Sequence, residues 1–202
     1  MLLKRLFDLF FSFLGVVLLA PLFLFISFWI KSDSHGPVFF RQERVGRFGK
    51  PFRIFKFRTM CLDAEAKGRQ ITVGEDPRIT RSGRFLRHYK LDELPQLLNV
   101  IWGEMSLVGP RPEVPRYVAM YPPEVRDLVL SVPPGITDYA SIEYKDENAI
   151  LGRAKDPDKA YIEEILPVKL AYYQRYTTSR SLWIDFKLIL ATFKTIFFDE
   201  KS

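Results

Sequence analysis

The residues best equipped for chemistry lie in the run Leu91-Asp92-Glu93-Leu94-Pro95-Gln96. Adjacent carboxylates can hold a divalent cation, attack an electrophilic phosphorus, or simply complement the dipole at the start of a helix. The neighbours of Asp92 and Glu93 favour phosphate chemistry. Arg87 stands five residues before Asp92, and Gly109-Pro110-Arg111-Pro112 follows shortly after. An acidic pair between arginines suits a Mg²⁺-bound diphosphate: the carboxylates hold the metal or attack phosphorus, and the guanidinium forks match phosphate oxygens.

These residues need elements to position them. Leu94, Leu97, Leu98 and Ile101 recur at helical spacing, which predicts an amphipathic helix with Asp92 as its N-cap. Upstream, residues 38–58 form two apolar-basic stretches around Arg47-Phe48-Gly49-Lys50, the pattern of a β-hairpin. Lys56 and Arg58 on the second stretch are candidates for anion contacts, or for a basic strand edge against lipid headgroups. The polar stretch from Asp63 to Pro77 reads as a surface loop. Prolines at 110, 112, 115, 122, 123, 133 and 134 divide the next part into short helices and turns.

The two ends of the chain are apolar. Leu9 to Ile30 is a run of 22 residues without a charge, about 33 Å as a helix and enough for a bilayer core. It has no polar face, as a buried helix at a domain surface would, and it exceeds the roughly 7–15-residue core of a cleaved signal peptide. Pro21 interrupts its hydrogen-bond ladder at the carbonyl of Val17. Basic residues flank both ends (Lys4 and Arg5, then Lys31), so the charges fit one crossing or a return to the same face equally. At the other end, Ser181 to Phe198 carries Leu182, Trp183, Phe186, Ile189, Leu190, Phe193 and Phe197 with Lys187 and Lys194 interspersed. A helix of that make packs on a core or lies in a membrane interface.

Composition excludes several classes. At 48% hydrophobic and 27% charged, the 202-residue chain is not disordered. One cysteine, Cys61, excludes a disulfide framework and suits a reducing, cytoplasmic setting, and two histidines argue against a His-built metal site. The net charge of +6 is concentrated: residues 41–90 hold 14 Lys+Arg against 5 Asp+Glu. Such a block binds nucleic acid, anionic lipid or a polyphosphate substrate. No Rossmann-type glycine loop is present.

Taken in order, the motifs resemble the bacterial sugar transferases, the monotopic phosphoglycosyl transferases. The matching pieces are the apolar segment with Ala20-Pro21, Gly36-Pro37-Val38-Phe39-Phe40 with Gln42, Arg44 and Gly46, and Phe55-Lys56-Phe57-Arg58-Thr59-Met60. Thr80-Arg81-Ser82-Gly83-Arg84-Phe85-Leu86-Arg87, the run from Leu91 to Val100, Met105 to Pro112, and Pro134-Gly135-Ile136-Thr137 complete them. The resemblance implies transfer of a sugar 1-phosphate from a UDP-sugar to undecaprenyl phosphate, with release of UMP, as the first membrane step of a bacterial glycoconjugate pathway. It implies Asp92 as the nucleophile that carries the phosphosugar, Mg²⁺ near Asp92 and Glu93, and Arg87, Arg111, Pro110, Pro112, Lys56 and Arg58 around the phosphates. It implies no nucleic-acid partner and leaves room for a homodimer.

The implied fold is α+β and α-rich. Residues 1–32 would be a re-entrant anchor helix broken at Ala20-Pro21, on the cytoplasmic face of the inner membrane. Residues 33–202 would be the catalytic domain, with a small β-hairpin, a catalytic helix and interfacial helices. The chain resembles the minimal catalytic form of larger relatives, and departs from the family pattern at Asp138 to Tyr144. Two other readings use the same residues: a membrane-tethered basic binding module, and a Mg²⁺-dependent pyrophosphatase built on the acidic pair.

Overall fold

The structure, a computed structural model, describes residues 2–62, 76–144 and 147–197. The expected loop from Asp63 to Pro77 lies almost wholly outside them.

The apolar N-terminal segment forms helix α1, Leu2–Asp33, about 48 Å long. It is the one helix among the described residues long and apolar enough to cross a membrane. It runs through Pro21 without interruption, so the expected break at Ala20-Pro21 does not divide it into two elements. Much of its surface is bare: Leu2, Phe10, Phe13, Leu18, Leu24 and Phe28 are exposed.

Both ends of α1 are fastened to the rest of the chain by polar contacts. At the start, Lys4 bridges Asp8 and Asp185. Asp8 also accepts from Ser106 Oγ and Leu107 N, and Arg5 donates to the carbonyls of Val100 and Ile101. At the far end, Asp33 accepts from the backbone and hydroxyl of Ser82, both at 2.8 Å. Ile26 and Ile30 are buried there against Phe57 and Leu86.

The hairpin forms as expected. Strands β1, Phe39–Val45, and β2, Pro51–Phe57, pair antiparallel in the register Phe39 to Phe57 and Val45 to Pro51. Their connection is a 3₁₀ turn, Arg47–Gly49, with Phe48 in the left-handed region at φ 57°. Helix α2, Arg81–His88, follows, its N-terminus capped by the Thr80 hydroxyl.

Asp92 does not cap the next helix. The segment Leu91–Glu93 is a 3₁₀ turn of its own, entered through Lys90 at φ 54°. Helix α3, Gln96–Trp102, begins behind Pro95 without a side-chain cap. The two elements together occupy the span read as one helix. The face of α3 also differs from expectation. Gln96, Asn99 and Val100 are buried, while Leu97 is only half-buried and would touch a methyl group placed on Gly15 of α1. Asn99 satisfies its amide completely, accepting from Phe55 N and donating to Arg53 O and Glu104.

Strand β3, Ser106–Val108, pairs in parallel with β4, Gly135–Thr137. Between them lie α4, Pro115–Val118, and α5, Pro123–Val129, each with proline in its first turn, where the missing N–H costs nothing. The segment that departs from the family pattern is the short helix α6, Tyr139–Glu143, closed by a capping box between Asp138 and Ser141. Helices α7, Glu147–Arg153, and α8, Pro157–Ala160, lead through a π-turn into α9, Leu166–Ser179. The main core lies here, around Tyr117, Leu151, Ile165 and Tyr173.

Helix α10, Leu182–Phe197, packs on the rest of the chain along one side, as one of the two readings expects. Leu188 packs with Val108 and Tyr176, while Trp183, Phe186, Leu190 and Phe193 stay exposed on the other side. The side chain of Phe197 lies outside the described set.

Candidate active site

Four elements bring the sequence-predicted residues together. The 3₁₀ turn supplies Asp92 and Glu93, β2 supplies Lys56, α2 supplies Arg87, and the loop after β3 supplies Arg111. The turn can present both carboxylates because Lys90 takes the left-handed conformation, which ends α2 and redirects the chain within one residue.

The two acids are held very differently. Glu93 is clamped from both sides. Lys56 Nζ donates to its Oε1 at 2.7 Å, and Arg111 grips both oxygens, NH1 to Oε2 at 3.2 Å and NH2 to Oε1. Burial opposes ionisation, but the charges of Arg111 and Lys56 outweigh it and hold the Glu93 carboxyl well below its usual range. Asp92 is 7% exposed, and among the described residues no hydrogen bond to another side chain or to the backbone engages its carboxylate. Burial pushes its carboxyl up. Lys56, Arg87 and Arg111 counter part of that rise, and the charge on Glu93 adds to it.

The arrangement therefore contains one fixed carboxylate that holds two cations in place and one uncommitted carboxylate beside them. The environments of the two neighbouring acids thus push their ionisation in opposite directions.

The loop carrying Arg111 is fixed through its backbone. Pro110 O accepts from Gly135 N at 2.9 Å, and Gly109 N donates to Thr137 O. Pro112 O accepts from Arg44 at 3.1 Å. Pro110 and Pro112 thus act through their carbonyls and rigid φ. The two strands approach so closely that a Cβ on Gly135 would lie 2.0 Å from Gly109 N. Gly135→Ala is expected to lower the melting temperature by about 5 °C or more, and to reduce activity beyond that loss by displacing Arg111. Thermal unfolding alongside activity well below the transition checks both.

Arg58 is not part of this cluster. It donates to the carbonyls of Ser34 and His35 and to the Ser34 hydroxyl, so it closes the C-terminal end of α1. A cation is well placed on those carbonyls, at the negative end of the helix dipole.

Sequence reasoning missed a buried ionic group behind Arg111. Arg44 lies 3.9 Å from Glu113. Glu113 accepts from the Tyr161 hydroxyl at 2.6 Å and pairs with Lys169 at 3.4 Å. Asp138, also buried, is pushed up by burial against the nearby charge of Arg111. A signal existed for Arg44, which belongs to a quoted block, and for Glu113, which directly follows one, but Lys169 and Tyr161 come from distant helices with no local motif.

A Mg²⁺ ion can be tested against these side chains. Among the described residues no group of three or more His, Cys, Asp or Glu is gathered around one point, and Glu93 is committed to its two cations. Asp92 remains. Mg²⁺ characteristically takes one or two carboxylates and completes its octahedron with water and substrate phosphates. An ion held largely by a diphosphate would find Asp92 as the one carboxylate here able to join its shell.

Comparison with known proteins identifies the family. The family model described as Bacterial sugar transferase matches residues 1–199. A protein of Aeromonas hydrophila named UDP-N-acetylgalactosamine-undecaprenyl-phosphate N-acetylgalactosaminephosphotransferase is 37% identical over 96% of this chain and 43% of its own length. The Escherichia coli protein named UDP-glucose:undecaprenyl-phosphate glucose-1-phosphate transferase is 37% identical over 95% of this chain and 39% of its own. The chain thus spans less than half the length of these two relatives. It covers 90% of a Bacillus subtilis protein, named an uncharacterized sugar transferase, at 35% identity. With almost its whole length matched, the chain belongs to the bacterial sugar transferase family.

Proposed function

We propose that this protein transfers a sugar 1-phosphate from a UDP-sugar to a polyprenyl phosphate, undecaprenyl phosphate being the acceptor in the relatives' names. The observation that carries the reading is the split acidic pair: Glu93 clamped by Lys56 and Arg111, Asp92 buried and uncommitted beside it.

In this reading a carboxylate oxygen of Asp92 attacks the β-phosphorus of the donor. A phosphorus–oxygen bond forms to Asp92 as the bond to the oxygen bridging the two phosphates breaks, and the electron pair leaves with UMP. An oxygen of the acceptor phosphate then attacks the same phosphorus and expels the Asp92 carboxylate, giving the polyprenyl diphosphate sugar. Neither displacement needs a proton from a side chain. Mg²⁺, when bound, would neutralise charge on the diphosphate. Arg111 and Lys56, pinned by Glu93, present fixed positive charge to the phosphate oxygens, and Arg87 does so from α2. Burial of Asp92 removes the water that would otherwise blunt its oxygen as a nucleophile.

The reading places the protein on one face of the membrane. The two ends of α1 dock on the same body, through Asp8 to Ser106 and Asp33 to Ser82. That supports a segment that enters and leaves the bilayer from the cytoplasmic side, where UDP-sugars are made, with Pro21 as the weak point of its ladder. The exposed aromatic side of α10, with Lys187 over Trp183, suits the headgroup region.

The test is UMP release by purified protein given a panel of UDP-sugars, undecaprenyl phosphate and Mg²⁺. Release that needs the lipid, together with labelled phosphosugar trapped on Asp92 in its absence, supports the transferase. Release of phosphate products at full rate without lipid favours a pyrophosphatase. Salt-sensitive lipid binding with no turnover and no labelling favours the tethered binding module.

A further inference from the structure

A line of aromatic rings connects the membrane helix to the acidic pair. On α1, Phe25 and Trp29 are one turn apart, with centroids 6.2 Å from each other. Trp29 meets Phe85 of α2 at 5.4 Å, and Phe85 meets Tyr89 at 4.7 Å, again one turn along. His88 stands edge-on to Tyr89 at 4.7 Å. These rings are not core. Phe25 is 63% exposed, Phe85 45% and Tyr89 39%. The core-facing side of α2 is instead Ser82, Gly83 and Leu86.

The line ends where the chemistry begins. Tyr89 is followed by Lys90, whose left-handed conformation turns the chain into Leu91 and Asp92. Leu91 packs with Ile26, Ile30 and Leu86, so the acidic turn is pinned to the same two helices that carry the rings. A basic residue also recurs at every third position of this stretch, Arg81, Arg84, Arg87 and Lys90. Arg87 acts directly on the charge of Asp92.

An exposed aromatic line that starts on a membrane helix and ends among cations at a reacting carboxylate has the polarity of a lipid phosphate. We propose that Phe25, Trp29, Phe85 and Tyr89 form the subsite for the isoprenoid tail of the acceptor, and that Arg87 and Lys90 receive its phosphate. The inference rests on the transferase reading and adds where its lipid substrate lies. Aromatic rings give a flexible apolar chain large contact area while losing little side-chain entropy themselves. The row of rings orders the segment of tail nearest the phosphate, which fixes the attacking oxygen relative to Asp92.

Two acceptors separate tail recognition from headgroup recognition: a long-chain polyprenyl phosphate and geranyl phosphate, both in the same detergent micelles. The protein, the double variant Phe85→Ala/Tyr89→Ala, Trp29→Ala, and the control Phe28→Ala are compared by acceptor KM. Phe28 is exposed on α1 outside the ring line. The double variant and Trp29→Ala are expected to raise KM for the long acceptor by about tenfold or more, and for geranyl phosphate by much less. Phe28→Ala is expected to move neither. Circular dichroism verifies that each variant is folded. An unmoved KM for the long acceptor overturns the subsite, as does an equal loss with both acceptors. The same loss in Phe28→Ala also overturns it, because the rings would then be general membrane anchors. If the unaltered protein releases no UMP with any donor, the transferase reading falls and takes the subsite with it. If it turns over and the KM ratio stays fixed, only the subsite falls.

Discussion

Asp92→Asn is expected to reduce UMP release by about 10⁴-fold or more, and to abolish trapping of labelled phosphosugar. The same change is expected to leave the protein as stable or more stable at neutral pH. The reason is the direction of its ionisation. The folded protein raises the Asp92 carboxyl above its usual value because burial disfavours the charged form. Above that folded value, holding the carboxylate ionised costs stability, and an amide of the same size removes the cost. The gain disappears as pH falls below the ordinary aspartate value, where the carboxyl is protonated in both states.

Glu93→Gln is expected to have the opposite sign. Glu93 is lowered by Arg111 and Lys56, so its charge contributes stability above the unfolded value, lost as pH falls through the folded one. The amide leaves both cations unpaired, and the melting temperature should fall at neutral pH while activity drops about 10²-fold. Thermal unfolding at neutral pH distinguishes the adjacent acids without reference to substrate. Two variants that both lose stability would sink the division of roles within the pair.

The acidic pair and its two arginines were legible in the sequence because they lie in short motifs whose residue types admit few chemistries. The hairpin was legible from its alternating stretches and the basic turn between them. The N-cap assigned to Asp92 was not correct. Lys90, a non-glycine residue at φ 54° that gives no sequence signal, starts a separate 3₁₀ turn over Leu91–Glu93, and α3 begins only behind Pro95. The apolar periodicity of Leu94, Leu97, Leu98 and Ile101 is real, but the stripe is only half-buried. Periodicity assumes that water lies outside and that the apolar stripe faces a core. Here α1 covers part of α3, with Gly15 near Leu97, and the side facing β2 is the one carrying Asn99, which serves the strand's backbone.

Lys56 and Arg58 show a similar limit. They are two residues apart along one extended stretch, and alternation gives them the same face. Reach then separates them. Lys56 extends to Glu93, while Arg58, just past the strand end, turns to the carbonyls of Ser34 and His35 immediately after α1. Neither strand pattern nor charge distinguishes the two partners. The ionic group of Arg44, Glu113, Tyr161 and Lys169 is assembled from β1, the Arg111 loop, the π-turn and α9, and only the tertiary fold brings it together.

Lys56→Met is expected to move the acid limb of the kcat/KM profile to higher pH and to reduce the rate at neutral pH by about 10²-fold. Among the charges acting on Asp92, Lys56 is the largest that favours its ionised form. Removing it raises an already raised carboxyl further, and a protonated Asp92 cannot attack phosphorus. Part of the lost rate should therefore return as the pH increases. The fold is expected to survive, since Arg111 keeps its two-point grip on Glu93. Lys56→Arg preserves the charge, so it should restore the position of the acid limb even where a guanidinium is too bulky to restore the full rate. Arg111→Met should differ in kind. It too raises Asp92, but it also strips Glu93 of its largest counter-charge, so stability falls together with rate. A Lys56→Met profile whose acid limb stays in place would mean that Asp92 is not the group whose ionisation limits the reaction.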